Sequence, residues 1–321
     1  NDGIIQIALM YLPNLPAYEE NGDYARSAMI KMRDDWGINF PENPLVIANE
    51  LDIREKSSRH NLNVNFTYEI LKDLKFSARL GQQWYNYRYF YYRPMSIGRD
   101  GAPAYSSALS AYNVGRTTSV YDVDKLGEFT LNYQKDFGKS RINALAGYTM
   151  QKKTYDRVGV EAKGFANDRI HEVTAHGTNA SDISLYSTRK AAWSLLSYFA
   201  RLNWSYDGRY ALTGTVRADG SSRFGVDNRY GFFPSVSAGW TLSNEPFLKD
   251  KLEDVASIRL RASWGKSGNN NIGNYSSIAS ISTGGYAFGN TAVSATAEGA
   301  FTDTALGWET TTQTNIGVDL G

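Results

Sequence analysis

From Leu196 to Ser263 the side chains change character with a period of two, segment after segment, which restricts the chain to strands with two unlike faces. Leu196, Tyr198, Ala200, Leu202, Trp204 and Tyr206 form an apolar row against Ser197, Arg201, Asn203 and Ser205, and Phe199 interrupts the polar row. Asp207, Gly208 and Arg209 have the composition of a hairpin turn. Beyond them Tyr210, Leu212, Val216 and Ala218 alternate with Thr213, Thr215, Arg217 and Asp219, with Gly214 on the apolar side. Two further segments repeat the pattern. Val236, Ala238, Trp240 and Leu242 oppose Ser235, Ser237 and Thr241, and Ile258, Leu260, Ala262 and Trp264 oppose Ser257, Arg259, Arg261 and Ser263.

The arginines decide which face meets which medium. Facing lipid near a bilayer midplane, each of Arg201, Arg217, Arg259 and Arg261 would cost about 2–4 kcal/mol, so they belong to the other face. The apolar rows, ended by Tyr and Trp, suit acyl chains. Alternating segments of roughly ten residues with aromatic ends are the pattern of an antiparallel transmembrane β-barrel of the outer membrane. A soluble sandwich gives similar alternation but encloses the apolar rows between two layers. Mean hydropathy of −0.44 and the lack of any apolar run near eighteen residues exclude transmembrane helices and leave a barrel open. A net charge of +1 gives no case for nucleic acid. The absence of cysteine removes disulfides, thiol catalysis and thiolate metal sites.

Several ordered stretches resemble the late barrel of the SusC/RagA family of TonB-dependent outer-membrane transporters. They are Ser197 to Tyr206, Arg217 to Gly225 with its Asp219-Gly220-Ser221-Ser222-Arg223 core, Tyr230 to Trp240, Ile258 to Gly265 and Leu306 to Gly317. Pro13 to Tyr24 and Ile70 to Gly81 resemble the family more loosely. The resemblance implies an all-β fold in which about nine to ten strands form less than half of a plugged barrel of roughly 22. It further implies that residues 1–321 are a partial barrel domain, with signal sequence, TonB-contacting segment, plug and C-terminal strands outside this sequence.

Earlier in the chain, Leu62, Val64, Phe66, Tyr68 and Ile70 are expected outward against Asn61, Asn63, Asn65, Thr67 and Glu69, and Phe76, Ala78 and Leu80 outward against Ser77, Arg79 and Gln83. Trp84, Tyr85, Tyr87, Tyr89 and Tyr91 crowd the far end of that strand and are assigned to an interfacial girdle running into an outer loop. Phe129, Leu131 and Tyr133 oppose Glu128, Thr130, Asn132 and Gln134, and Ile142, Ala144, Ala146, Tyr148 and Met150 oppose Arg141, Asn143 and Thr149. Ile4 to Leu12 reads as a strand end before a loop containing Pro13, Pro16, Pro41 and Pro44. Connections near 91–118, which contains Gly98, Gly101 and Pro103, and near 157–190 and 265–305 are long. Those at 71–74, 135–140, 207–209 and 243–255 are short, and 219–229 is a short exception. Short turns face the periplasm and long loops the exterior. A helical turn fits between Asn244 and Asp254.

The expected lumen-facing residues are Arg79, Arg141, Arg201, Arg217, Asp219, Arg259 and Arg261, with Glu69 and Glu128. Their plainest role is to pair with one another or with the plug, ahead of direct ligand contact. No catalytic, cofactor or metal residues are assigned. Gly265-Lys266-Ser267 resembles the end of a phosphate loop, but Leu260 stands where its first glycine belongs. His171 and His176 flank Glu172 in a polar loop, where a metal site is the weaker reading. The family likeness implies import of glycan oligosaccharides, or of peptides, across the outer membrane, with TonB and a SusD-like surface lipoprotein as partners. A passive barrel or adhesin with ligand-binding loops is the competing reading, and an outer-membrane hydrolase a third.

Overall fold

The hairpin at 207–209 shows how local chemistry sets register. Asp207 (φ 52°) and Gly208 (φ 67°) both take left-handed backbone, and Arg209 N–H donates to the Tyr206 carbonyl at 2.9 Å. That mirror-image turn matches the twist of the strands it joins. It pairs Tyr206 with Tyr210, Asn203 with Thr213 and Phe199 with Arg217. A one-residue slip would carry every arginine to the apolar face.

A computed structural model describes residues 4–25, 35, 42–97, 113–175, 183–248, 256–289, 291–299 and 305–321. Its strands are β1 (Asp52–Leu71), β2 (Leu74–Arg93), β3 (Val114–Phe137), β4 (Ser140–Lys163), β5 (Ile183–Tyr206), β6 (Tyr210–Ser221), β7 (Tyr230–Thr241), β8 (Ile258–Asn269), β9 (Ile281–Phe288), β10 (Thr291–Glu298) and β11 (Glu309–Leu320). Nine form one sheet in the order β1-β2-β3-β4-β5-β6-β7-β8-β11, and β9 and β10 pair as a separate hairpin. The pairings from β5 through β8 to β11 are antiparallel.

Three expectations change. Ile4–Met10 is a helix, α1, rather than a strand end, and Pro44–Glu50 forms a second, α2, capped by the Asn43 side chain accepting from Leu45 N–H. Proline at the first helical position and asparagine at the cap are the local reasons for α2. β1 to β5 run for 20 to 24 residues, twice the expected length, so much of the loop assigned to 157–190 is strand. The stretch 265–305 holds the β9–β10 hairpin, because Ile281, Val293 and their neighbours alternate weakly enough to read as loop. Helical turns at 242–244 and 246–248 occupy the described part of the 243–255 connection. His176, Pro41, Gly98, Gly101, Pro103 and Asp254 lie outside the described residues.

The chain divides into two units, 1–60 with 84–122 and 155–190, and 61–83 with 123–154 and 191–321. In the second, the apolar rows are open: Val64 is 52% exposed, Phe66 55% and Leu212 45%. Arg201, Arg217, Arg259 and Arg261 occupy the opposite rows. That sidedness is what a soluble sandwich forbids. In the first unit Tyr92, Ala162 and Phe165 pack as a small buried cluster with Phe90 and Val173.

Candidate functional site

On the polar face of the second unit the side chains answer one another. Asn143 donates to Asn132 at 3.0 Å, Asn203 to Asn143 at 3.3 Å, and Thr213 to Asn203 at 2.9 Å, a ladder crossing four strands. Arg217 Nε lies 2.7 Å from both carboxylate oxygens of Asp219, and its Nη2 donates to Ser197 at 2.9 Å. Phe199, the residue that breaks the polar row, sets the end of its ring against Gly147, where any Cβ would collide with it, and carries the Arg217 guanidinium 5.7 Å from its centroid. Arg79 donates to Asn65 at 3.1 Å and approaches Glu128 at 3.9 Å. Arg141 pairs with Asp136 at 2.7 Å and Arg261 with Asp319 at 3.1 Å. Arg259 and Arg261 border a polar groove of about 550 Å³ with Thr213, Ser237, Ser263 and Asn315. The seven residues marked from the sequence are thus strung along a face and are not gathered into one cluster.

The turn end of the same unit is held by one carboxylate. Glu245 accepts from the Tyr210 hydroxyl at 2.5 Å, Trp240 Nε1 at 2.8 Å and Arg209 Nη1 at 3.0 Å. These donors, the Tyr210 hydroxyl foremost, hold the Glu245 carboxyl below the usual carboxylate range. Trp204, Tyr206, Tyr210 and Trp240 stack in sequence with centroids 6.2, 6.4 and 6.4 Å apart, an aromatic belt.

The first unit is built differently. Tyr85, Tyr87, Tyr89 and Tyr91 lie within β2, not in an outer loop, and alternation sets them on the face opposite Trp84, Phe90 and Tyr92. Arg59 lies over the Tyr85 ring at 5.2 Å, and Arg116 over Tyr91 at 5.2 Å and Tyr186 at 5.7 Å. Tyr85 and Tyr87 stack at 6.4 Å, and the Tyr186 hydroxyl bonds Thr118. Glu161 answers both Arg116 at 2.6 Å and Lys163 at 3.1 Å. The other face is closed by residues 164–171. Asp168 Oδ1 accepts from Tyr92 at 2.8 Å and Asn113 at 2.9 Å, and His171 stacks on Tyr92 at 4.0 Å with its Nδ1 2.9 Å from Asp52. His171 is engaged in a polar latch, and Glu172 is exposed.

Sequence reasoning missed Arg59, Arg116, Arg157 and Tyr186. A usable signal existed: Arg157, Gly159, Glu161 and Lys163 alternate with Val158, Val160 and Ala162, though the stretch reads as loop if strands are held to ten residues.

Residues 11–321 match the profile of the family described as TonB dependent receptor-like, beta-barrel. TonB-dependent receptor P3 of Formosa agariphila is 29% identical over 318 residues, covering 99% of this chain and 30% of that protein. TonB-dependent receptor SusC of Bacteroides thetaiotaomicron is 31% identical over 292 residues, 88% of this chain and 27% of that protein. Among solved structures, that of the RagAB peptide transporter superposes with a TM-score of 0.76 at 25% identity, covering 94% of this chain and 32% of that one. The chain spans about a third of the length of the relatives it matches. A nine-stranded open sheet with segregated faces, matched along nearly its whole length, belongs to the TonB-dependent receptor β-barrel family, in its SusC/RagA branch.

Proposed function

We propose that this chain forms part of the wall of an energy-coupled importer that carries oligosaccharides across the outer membrane. The family is one of outer-membrane receptors energised through TonB. In this reading a SusD-like surface lipoprotein covers the outer mouth, TonB acts through a part of the receptor outside this sequence, and the role is transport rather than catalysis. The observation that carries it is the sidedness of the second unit: open apolar rows on one side of each strand, a polar row bonded to itself on the other. Such a wall keeps its backbone bonded in lipid and presents a wet surface inward. The similarity to RagAB, a peptide importer, makes peptides the second cargo class.

Deletion of the complete gene from its host, followed by uptake of fluorescently labelled oligosaccharides and peptides, tests this reading. Oligosaccharide uptake should vanish in the deletion strain, and also in the parent after a protonophore or loss of TonB. Uptake that survives the protonophore belongs to a passive barrel and refutes the importer. Loss of peptide uptake alone would replace the cargo.

A further inference from the structure

The first unit carries a cation that nothing among the described residues answers. Arg157, on β4, makes no hydrogen bond and no ion pair among the described residues, and its Nε is buried from solvent. It stands two and four residues before Gly159 and Glu161, so alternation gives it their face. That is the face of the tyrosines: Glu161 binds Arg116, which lies over Tyr91 and Tyr186, and a Cβ on Gly159 would come within 2.8 Å of the Tyr186 ring. Arg59 is likewise without an ion pair among the described residues and lies over Tyr85.

We propose that this tyrosine and arginine face is a subsite for an acidic oligosaccharide, a glycan bearing carboxylate or sulfate groups, a refinement that rests on the importer reading above. The chemistry follows from the parts. Four tyrosines at every second position of β2 recur about every 6.6 Å, a ladder of flat faces running along the strand. Sugar rings offer apolar C–H faces to such planes and hydroxyls to their edges. A guanidinium forks onto a carboxylate or sulfate, and it does so best where water is partly excluded and no resident carboxylate competes. The Nε of Arg157 is shielded from water, and its side chain has no carboxylate partner among the described residues. An extended peptide would use a free strand edge for its backbone, whereas β2, β3 and β4 are each flanked on both sides in the sheet, leaving the side-chain face alone to bind.

The test titrates the complete receptor, purified in detergent, with oligogalacturonate, with a neutral maltooligosaccharide of equal length and with oligoglutamate. Oligogalacturonate should bind at least tenfold tighter than the other two, and weaken with added salt. Arg157→Gln and, separately, Arg59→Gln should each reduce that affinity about tenfold, while Lys139→Gln, in the second unit and paired there with Asp207, leaves it unchanged. Tyr89→Leu, which removes a ring and no charge, should weaken binding of the acidic glycan at every salt concentration. Equal affinity for the neutral glycan, tighter binding of oligoglutamate, no binding by any probe, or full affinity in both arginine variants overturns the proposal. The measurement needs no energy source, so a receptor that binds oligogalacturonate yet fails the protonophore experiment would sink the importer and spare the subsite.

Discussion

Two sets of charges, one in each unit, are treated in opposite ways. In the second, Arg217 has Asp219 and Ser197, Arg261 has Asp319, and the asparagines hand hydrogen bonds from strand to strand. In the first, Arg59 lies over Tyr85, Arg157 and Arg59 have no counter-charge among the described residues, and one carboxylate serves both Arg116 and Lys163. A buried donor without an acceptor lowers stability, and native structures retain few of them. A self-paired face accounts for itself as wall, whereas an unpaired one is explained by something that arrives. The contrast also says where mutations will register: as lost stability in the second unit, as lost binding in the first.

The sharpest way to break the wall is to fill the floor beneath Phe199. In Gly147→Val the new side chain must occupy the space of that ring, so β4 and β5 separate or the ring leaves Arg217. Overpacking of this kind costs about 1–3 kcal/mol and often more where backbone must move. Little folded receptor should then reach the membrane, seen as loss of the fast-migrating band in unboiled gel samples. Gly214→Val is the control on the same sheet, since a Cβ there meets nothing within 4 Å and the residue belongs to the apolar row. Normal folding of both variants would show that glycine at 147 is not needed for space.

Next in size is the Arg217 and Asp219 pair. Asp219 is 10% exposed at its side chain, so Arg217→Met leaves a nearly buried carboxylate with no cation. The expected loss is about 1–3 kcal/mol, read as a lower denaturant midpoint of the purified receptor. Adding Asp219→Leu to Arg217→Met should recover part of it, because removing both partners also removes the desolvation penalty. A double variant weaker than the single would mean that Asp219 has another partner of greater weight.

Much of this fold was legible because lipid and water enforce a period of two. Leu212 and Val216 against Thr213, Thr215 and Arg217 can be read without coordinates, and so can the Asp207-Gly208 turn. Legibility failed where both faces carry similar chemistry. Along β2 past Trp84 each row holds aromatic side chains, so alternation does not tell the rows apart and the approach of Arg59 to Tyr85 could not be read. Ile4–Met10 was misread because seven residues of apolar sequence carry too little periodicity to separate helix from strand. Glu245 was invisible because its three partners come from residues 209, 210 and 240, which only the strand pairing unites.

That clamp gives a smaller, pH-dependent effect. The native Glu245 carboxyl is held below its unfolded value, ordinarily about 4.3, so its contribution is complete above that value and is lost as pH falls through the native one. Glu245→Gln should therefore lower the thermal midpoint at pH 6 and narrow its difference from the parent at pH 3. A gap that stays constant across that range would remove ionisation from the explanation.

The smallest effects carry the comparison itself, because they differ in sign. Arg261→Ala breaks an exposed pair with Asp319, in which both side chains are at least half open to solvent, and should cost about 0–1 kcal/mol. Arg157→Met removes a cation that has no acceptor, and a buried N–H that has no partner, among the described residues, while keeping much of the side chain's apolar length. Its thermal midpoint should hold or rise, even as affinity for the acidic glycan falls. Stability lost together with binding would mean that Arg157 supports the fold; stability kept while binding falls is what a residue retained for a ligand requires, since its cost to the empty receptor is then repaid only when the ligand is present.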